Sequence, residues 1–245
     1  MSHVSSNHLQ GATKNPASSS GRPDKLSRPG WPEVIVGLVG MAAFGFGGAV
    51  LIGRLGLDPG VYGLILTAWS GVGGIAAFAA AVLLRIRSLS AFGVVRTTTR
   101  WLLIGAVAGV VATVVKILAG IAWIQITGDS STPQTVYAEG ASGAVLSLIL
   151  ATVFLGLLTP LGEELLFRGV LTNALLRYGP FIGVVGSTLI FALFHGINII
   201  FPAAVAAGLF AGEVFRRSGS IWPAVVIHAV FNLPTPILMV AAGMG

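Results

Sequence analysis

No cysteine occurs in the 245 residues, so disulfides, thiolate zinc sites and cysteine nucleophiles are all excluded, and any catalysis falls to other side chains. Charge is scarce as well. Only 9% of the residues are Asp, Glu, Lys or Arg while 55% are hydrophobic, and the mean hydropathy is +0.91, outside the balance of a soluble domain. Segments of about 10 residues with alternating polarity are missing too, which excludes a membrane β-barrel. The net charge of +6 is spread over helix ends rather than gathered in one patch. That pattern fits orientation in a membrane and not nucleic-acid binding.

What remains is a succession of apolar runs near the length of about 20 residues that a helix needs to cross a bilayer. Seven candidate spans follow, at 31 to 53, 61 to 85, 101 to 127, 142 to 167, 181 to 197, 199 to 215 and 221 to 241. The expected fold is an all-α, polytopic transmembrane bundle. Residues 1–30 are rich in Ser, Asn, Pro and Gly and read as a disordered cytoplasmic tail ahead of one transmembrane domain, 31–245. The apolar run begins too far in for a cleavable signal peptide, and His3 and His8 fall in the tail with no role expected. Trp31, Trp101 and Trp222 sit at span ends, where amphipathic rings prefer the headgroup region. With the amino terminus inside and the carboxyl terminus outside, 12 of the 14 basic residues fall on the cytoplasmic side, Arg168 counted among them. The segment GDSSTPQTVYAEG near 128 to 140 reads as an outer loop.

An ionisable residue inside a span costs roughly 2.5 to 3.5 kcal/mol on insertion scales and marks a functional site or an internal pair. The short list here is Lys116, Glu163, Glu164, Arg168, His195 and His228. In TPLGEELLFRG, Glu164 and Arg168 are four apart and share a helix face, which predicts a salt bridge, while Glu163 points elsewhere and needs a partner on another helix. FALFHG sets Phe191 and His195 on one face, and HAVFN does the same for His228 and Asn232. An acid, two imidazoles and a carboxamide on separate helices are the parts of a hydrolytic site: a buried glutamate beside a histidine can deprotonate water, and a second histidine with an asparagine can steady an oxyanion. Each motif alone also has a structural reading as a helix-to-helix hydrogen bond.

Taken together, E-E-L-L-F-R, F-A-L-F-H and H-A-V-F-N resemble the motif set of the CAAX prenyl protease and bacteriocin-processing (CPBP, Abi) family of intramembrane endopeptidases. The segment RRSGSIWPAVVIH resembles that family's approach to its last motif, so the likeness covers a protease core at about 142–240. It implies cleavage of a peptide bond in a membrane-associated peptide or protein, prenylated or not. The residues carry over as Glu163 with His195 activating water, His228 with Asn232 forming the oxyanion site, and Glu164 orienting, fixed by Arg168 and with Phe191 as a structural neighbour.

The preferred mechanism of that family needs no cofactor, but Glu163, His195 and His228 are also an alternative Zn2+ ligand set, and no H-E-x-x-H helix distinguishes the two. The span limits raise a further question, because they set Glu163 and His195 at different depths. Either the fifth helix begins below the hydrocarbon, the expectation favoured by the turn signal at Tyr178, Gly179 and Pro180, or the fourth is shifted or broken near Pro160. Lys116 carries no motif and is expected to line a cavity between helices. Glu213 is expected to pair with Arg216 and Arg217 at a helix end. Glycines such as those of GVGG at 71 to 74 are expected at helix crossings. Eleven Arg against three Lys hint at a bacterial plasma membrane. A proton-coupled transporter and a catalytically silent scaffold or immunity protein are the rival functions.

Overall fold

The computed structural model describes residues 28–244, so the expected tail, with His3 and His8, lies outside the described residues. Eight helices follow one another: α1 Trp31–Gly53, α2 Pro59–Leu84, α3 Thr99–Thr127, α4 Thr135–Ser142, α5 Val145–Tyr178, α6 Ile182–Phe194, α7 Ile200–Ser218 and α8 Trp222–Ala241. No strand occurs among the described residues. The all-helical expectation holds; of the seven expected spans, five are matched by long apolar helices. Five helices, α1, α2, α3, α5 and α8, are long and apolar enough to cross a membrane. The helix α6 is shorter, and α7 carries Glu213, Arg216 and Arg217 in its last turns. The architecture is that of an integral membrane protein.

Two boundaries differ from the reading of the sequence for a physical reason. The fourth span runs to Tyr178, not 167, because the polar residues that mark an end in sequence are consumed inside the bundle. Thr172 donates to Ser187 at 2.8 Å, Asn173 donates to the carbonyl of Ala91 at 2.9 Å, and Arg168 is only 2% exposed. Arg168 therefore does not belong to the cytoplasmic basic residues. The supposed outer loop is in part α4, with Ala138, Gly140 and Ala141 buried against α2.

Helix α5 has 34 residues, about 51 Å of rise, more than a hydrocarbon core of about 30 Å. Its far end reaches the level where α1 begins: the Trp31 indole donates to the Tyr178 hydroxyl at 2.9 Å, and Arg177 donates to the carbonyl of Pro29. Near the same end Arg85 forms two hydrogen bonds with the buried carboxylate of Glu33, at 2.5 and 2.8 Å. At the end of α7, Glu213 binds Arg216 and Arg217 locally, as expected.

The crossing of α2 and α5 positions everything that follows. A side chain at Gly162 would start 2.1 Å from the carbonyl oxygen of Gly71, and one at Gly74 would start 2.5 Å from the backbone of Gly162. Only glycine permits this approach, as GVGG predicts. The two residues after Gly162 are the glutamates.

Candidate active site

Glu163 and Glu164 lie in Thr159–Glu164, an α-helical stretch of α5 bracketed by π-helical turns at Phe154–Leu158 and Leu165–Thr172. Such turns add a residue per loop of helix and recur at functional sites. The helix continues through Pro160 without a break, and its end lies further along the chain than the sequence reading set it, at Tyr178. From Glu163 the chain travels 15 residues along α5 to Tyr178, reverses, and climbs 13 residues from Ile182 to His195. Those legs are about 22 and 20 Å. Glu163 and His195 come out level, and both border the same two cavities.

Glu164 is fully buried and carries the structural half of the site. Its Oε1 accepts from Arg168 Nη1 at 2.9 Å, the four-residue pair expected from sequence, and from His228 Nδ1 at 2.7 Å. The second contact crosses 64 residues of chain and was not expected. Arg168 has its other nitrogen against the carbonyl of Gly208 at 3.3 Å and its guanidinium over the Phe191 ring at 4.8 Å. The Oε2 of Glu164, like that of Glu163, is buried with no hydrogen-bond partner among the described residues. Breaking a buried pair of this kind costs roughly 3 to 5 kcal/mol.

With Nδ1 held by a carboxylate, His228 directs Nε2 toward Glu163, at 3.9 Å from Oε2. That carboxylate is 6% exposed, and its Oε2 is buried with no hydrogen-bond partner among the described residues. Buried polar atoms are rarely left so. His195 Nδ1 lies 3.0 Å from the carbonyl of Phe191. A carbonyl only accepts, so Nδ1 bears the hydrogen and a neutral ring keeps its lone pair on Nε2. The Phe191 ring packs edge-on against both imidazoles, 4.8 Å from His195 and 5.9 Å from His228 by ring centroids. Asn232 donates one amide hydrogen to the carbonyl of Leu155 at 3.2 Å and retains the other.

All four motif residues, Glu163, His195, His228 and Asn232, border one polar cavity of about 80 Å³. Glu163 and His195 also border a larger, mainly apolar cavity of about 290 Å³ walled by Phe46, Trp69, Phe167 and Phe194. A hydrocarbon-lined antechamber thus leads to a small polar end. Three wall residues have no warning in the sequence motifs: Ser70, which shares a hydrogen bond of 2.8 Å with Thr159, and Gln134 and Tyr137, carried over the site by α4. Burial pushes the Tyr137 phenol up to about 12, with the neighbouring Glu163 charge and Tyr62 adding to the shift. It therefore remains a hydrogen-bond donor at any working pH. For α4 the only signal was its run of small residues beside a polar loop.

As for a metal, among the described residues no three His, Cys, Asp or Glu side chains gather as a metal-holding group. Of the alternative zinc set of Glu163, His195 and His228, Glu163 and His228 lie close, at 3.9 Å, and each imidazole engages Nδ1 and keeps Nε2, the nitrogen a metal would use.

A profile described as Rce1-like, type II CAAX prenyl endopeptidase, matches residues 145–234. Those residues form an Rce1-like domain. The family is one of proteases, and the match covers α5 through more than half of the last helix, every glutamate and histidine of the site included. No curated protein and no solved structure matches the chain. The Rce1-like segment holds the buried cluster of Glu163, Glu164 and His228, an arrangement consistent with the active site of such an enzyme.

Proposed function

We infer that the chain is an intramembrane endopeptidase that hydrolyses a peptide bond in a membrane-associated peptide or protein, with Glu163 as the general base. The observation that carries this reading is the unpartnered, buried Oε2 of Glu163 facing His228 Nε2 across 3.9 Å, at the junction of an apolar and a polar cavity. A water hydrogen-bonded to both atoms at about 2.8 Å fits off the line between them. Glu163 takes a proton from that water as its oxygen adds to the peptide carbonyl. The oxyanion is met by His228, whose charge Glu164 supports through Nδ1, and by the free amide hydrogen of Asn232. Collapse breaks the C–N bond, and the proton passes, through Glu163 or His195, to the departing amine.

No step in this scheme uses a metal, and none uses a serine or threonine nucleophile. Glu164 and Arg168 are positioning residues: one aims His228, the other neutralises the first. The apolar antechamber suits a substrate that arrives from the bilayer rather than from water. The test is cleavage of a mixed-sequence peptide library by the purified full chain in lipid nanodiscs, read by mass spectrometry of new termini. Wild type is expected to cut and Glu163→Gln to be silent; equal cutting by both would overturn the assignment.

A further inference from the structure

The apolar antechamber and the polar cavity share six wall residues: Ser70, Gln134, Tyr137, Glu163, His195 and Ile200. A substrate chain that passes from one space to the other runs between them. Glu163 and His195 serve the reaction, Ile200 is apolar, and the Ser70 hydroxyl is engaged with Thr159 at 2.8 Å and with the carbonyl of Thr67 at 3.2 Å. Gln134 and Tyr137 have no such part. Among the described residues neither the Gln134 amide nor the Tyr137 hydroxyl has a hydrogen-bond partner, although the backbone beside them is tied: the Gln134 N–H donates to Thr132 Oγ1 at 3.2 Å, and its carbonyl accepts from the Tyr137 N–H at 3.0 Å.

Helix α4 holds the two side chains in place. Gln134 caps its amino end and Tyr137 follows three residues later, a spacing that sets both on one side of the helix. Another face of α4 meets the backbone of α2, where a side chain at Gly63 would start 2.1 Å from the Val136 carbonyl oxygen and one at Gly140 would start 2.6 Å from the Leu64 nitrogen. A helix seated that closely is fixed in rotation, so its polar pair stays over the passage. All of α4 lies ahead of the Rce1-like segment.

A peptide in this passage brings one N–H and one C=O per residue, and each is costly to bury without a partner. The rings of the antechamber offer none: the Trp69 N–H is spent on the carbonyl of Phe44 at 2.8 Å. An extended chain presents the N–H and C=O of every second residue along one edge, a repeat of about 6.6 Å. The Gln134 carboxamide offers an acceptor beside a donor and the Tyr137 phenol a donor, on positions whose Cβ atoms are about 5 to 6 Å apart in a helix. We propose that Gln134 and Tyr137 grip the main chain of the substrate, Gln134 pairing with the N–H and C=O of one residue and Tyr137 donating to a carbonyl two residues away. The proposal rests on the proteolytic reading above and deepens it by naming the substrate class: a segment that is extended, or has unwound, with its backbone unpaired. A segment that stays helical has its N–H and C=O groups paired internally and gives α4 nothing to hold.

The experiment takes a peptide cut from the library and remakes it with a single backbone ester at each position flanking the cut bond, which deletes one N–H and weakens the carbonyl before it. The full chain in nanodiscs should lose about fivefold to tenfold in kcat/KM at one ester position, through KM, and about twofold at a second, the range of single neutral hydrogen bonds. Gln134→Leu should raise KM for the all-amide peptide with kcat within about twofold, and erase the first loss; Tyr137→Phe should erase the second. A flat scan in wild type overturns the grip, as does a scan that both variants leave unchanged. A second arm titrates the mixed library and its all-ester counterpart onto the Glu163→Gln chain. Preference for the amide form by about tenfold, lost when Gln134→Leu and Tyr137→Phe are added, supports the grip, and equal binding of the two forms overturns it. If a variant is not recovered folded, the wild-type scan and the binding preference decide. Absence of any cleavage by wild type sinks the protease reading instead, and the binding arm still reads the grip.

Discussion

The helices of residues 31–127 and those of residues 145–241 meet the same membrane with different surfaces. In the most apolar stretch of α1 11% of residues are buried, and in that of α3 17%, against 33% for α5 and 39% for α8. The outer helices present Leu51, Leu103, Val107 and Leu118 outward, each at least 60% exposed. The inner ones turn Glu163, Glu164, Arg168 and His228 inward, none more than 6% exposed. Helix α2 belongs to neither class. It is 44% buried and joins the two halves through glycines. Hydropathy alone does not distinguish these roles, because a lipid-facing surface and a packed helix interface are equally apolar. What separates them is which half has polar atoms that must find partners inside.

The sharpest break between the halves is expected at Glu163. Glu163→Gln alters one atom of a buried side chain and should lower kcat for peptide cleavage by about 10²- to 10⁴-fold, the usual worth of a positioned general base. Its thermal unfolding in detergent should stay near that of wild type, because Oε2 makes no hydrogen bond to lose. A comparable loss of activity from Val107→Thr, on the exposed face of α3, would contradict the division into sheath and site.

Next in size is the pair beneath the site. Arg168→Met leaves the Glu164 carboxylate with His228 alone in a wholly buried position, at a cost of roughly 3 to 5 kcal/mol in stability. Glu164→Gln combined with Arg168→Met should return most of that stability, since both charges are gone, yet activity should stay low because His228 loses its orienting carboxylate. Thermal melts and cleavage rates of the two singles and the double measure both effects. Stability loss that is merely additive would deny the coupling.

How far this could be foreseen depended on the type of contact. Spacings within one helix were legible: Glu164 with Arg168, Glu213 with Arg216, and the shared faces of Phe191 with His195 and His228 with Asn232 follow from helical periodicity. Contacts between helices were not. The bond from Glu164 to His228 and the contact of Phe191 with both imidazoles need a tertiary arrangement that no spacing encodes. The polar half of α5 was misread for a related reason, because Thr172 and Asn173 look like residues of a helix end until their partners, Ser187 and the Ala91 carbonyl, are known. Helix α4 was hidden by composition: it is short, begins beside a polar loop, and docks by backbone contact at Gly63 and Gly140.

A smaller effect is expected at the junction. Gly162→Ala adds one methyl group where the Gly71 carbonyl oxygen already stands 2.1 Å away, and overpacking of this kind costs about 1 to 3 kcal/mol. The backbone must part there, so Glu163 shifts with it and activity should fall more than stability does. Gly120→Ala, on α3 with nothing within 4 Å of the added carbon, should leave both unchanged or slightly gain from helix propensity. Equal behaviour of the two variants, read by melting temperature and cleavage rate, would remove the junction from the account of how the halves are joined.

The smallest expected effect is that of a chelator. A zinc ion requires ligand atoms at about 2.0 to 2.2 Å from one centre; both imidazoles keep Nε2 for such a role, but among the described residues no three candidate ligands gather. Assembling Glu163, His195 and His228 around an ion would require His195 to join the Glu163 and His228 pair, away from its packing on the Phe191 ring. Prolonged dialysis against EDTA should therefore leave the cleavage rate within about twofold of the untreated enzyme, since a positioned carboxylate supplies the base without metal assistance. A rate that collapses on chelation and returns with stoichiometric Zn2+, but not Mg2+, would show instead that the helices of residues 145–241 close further around the site than their packing here implies, bringing His195 and His228 onto a common centre.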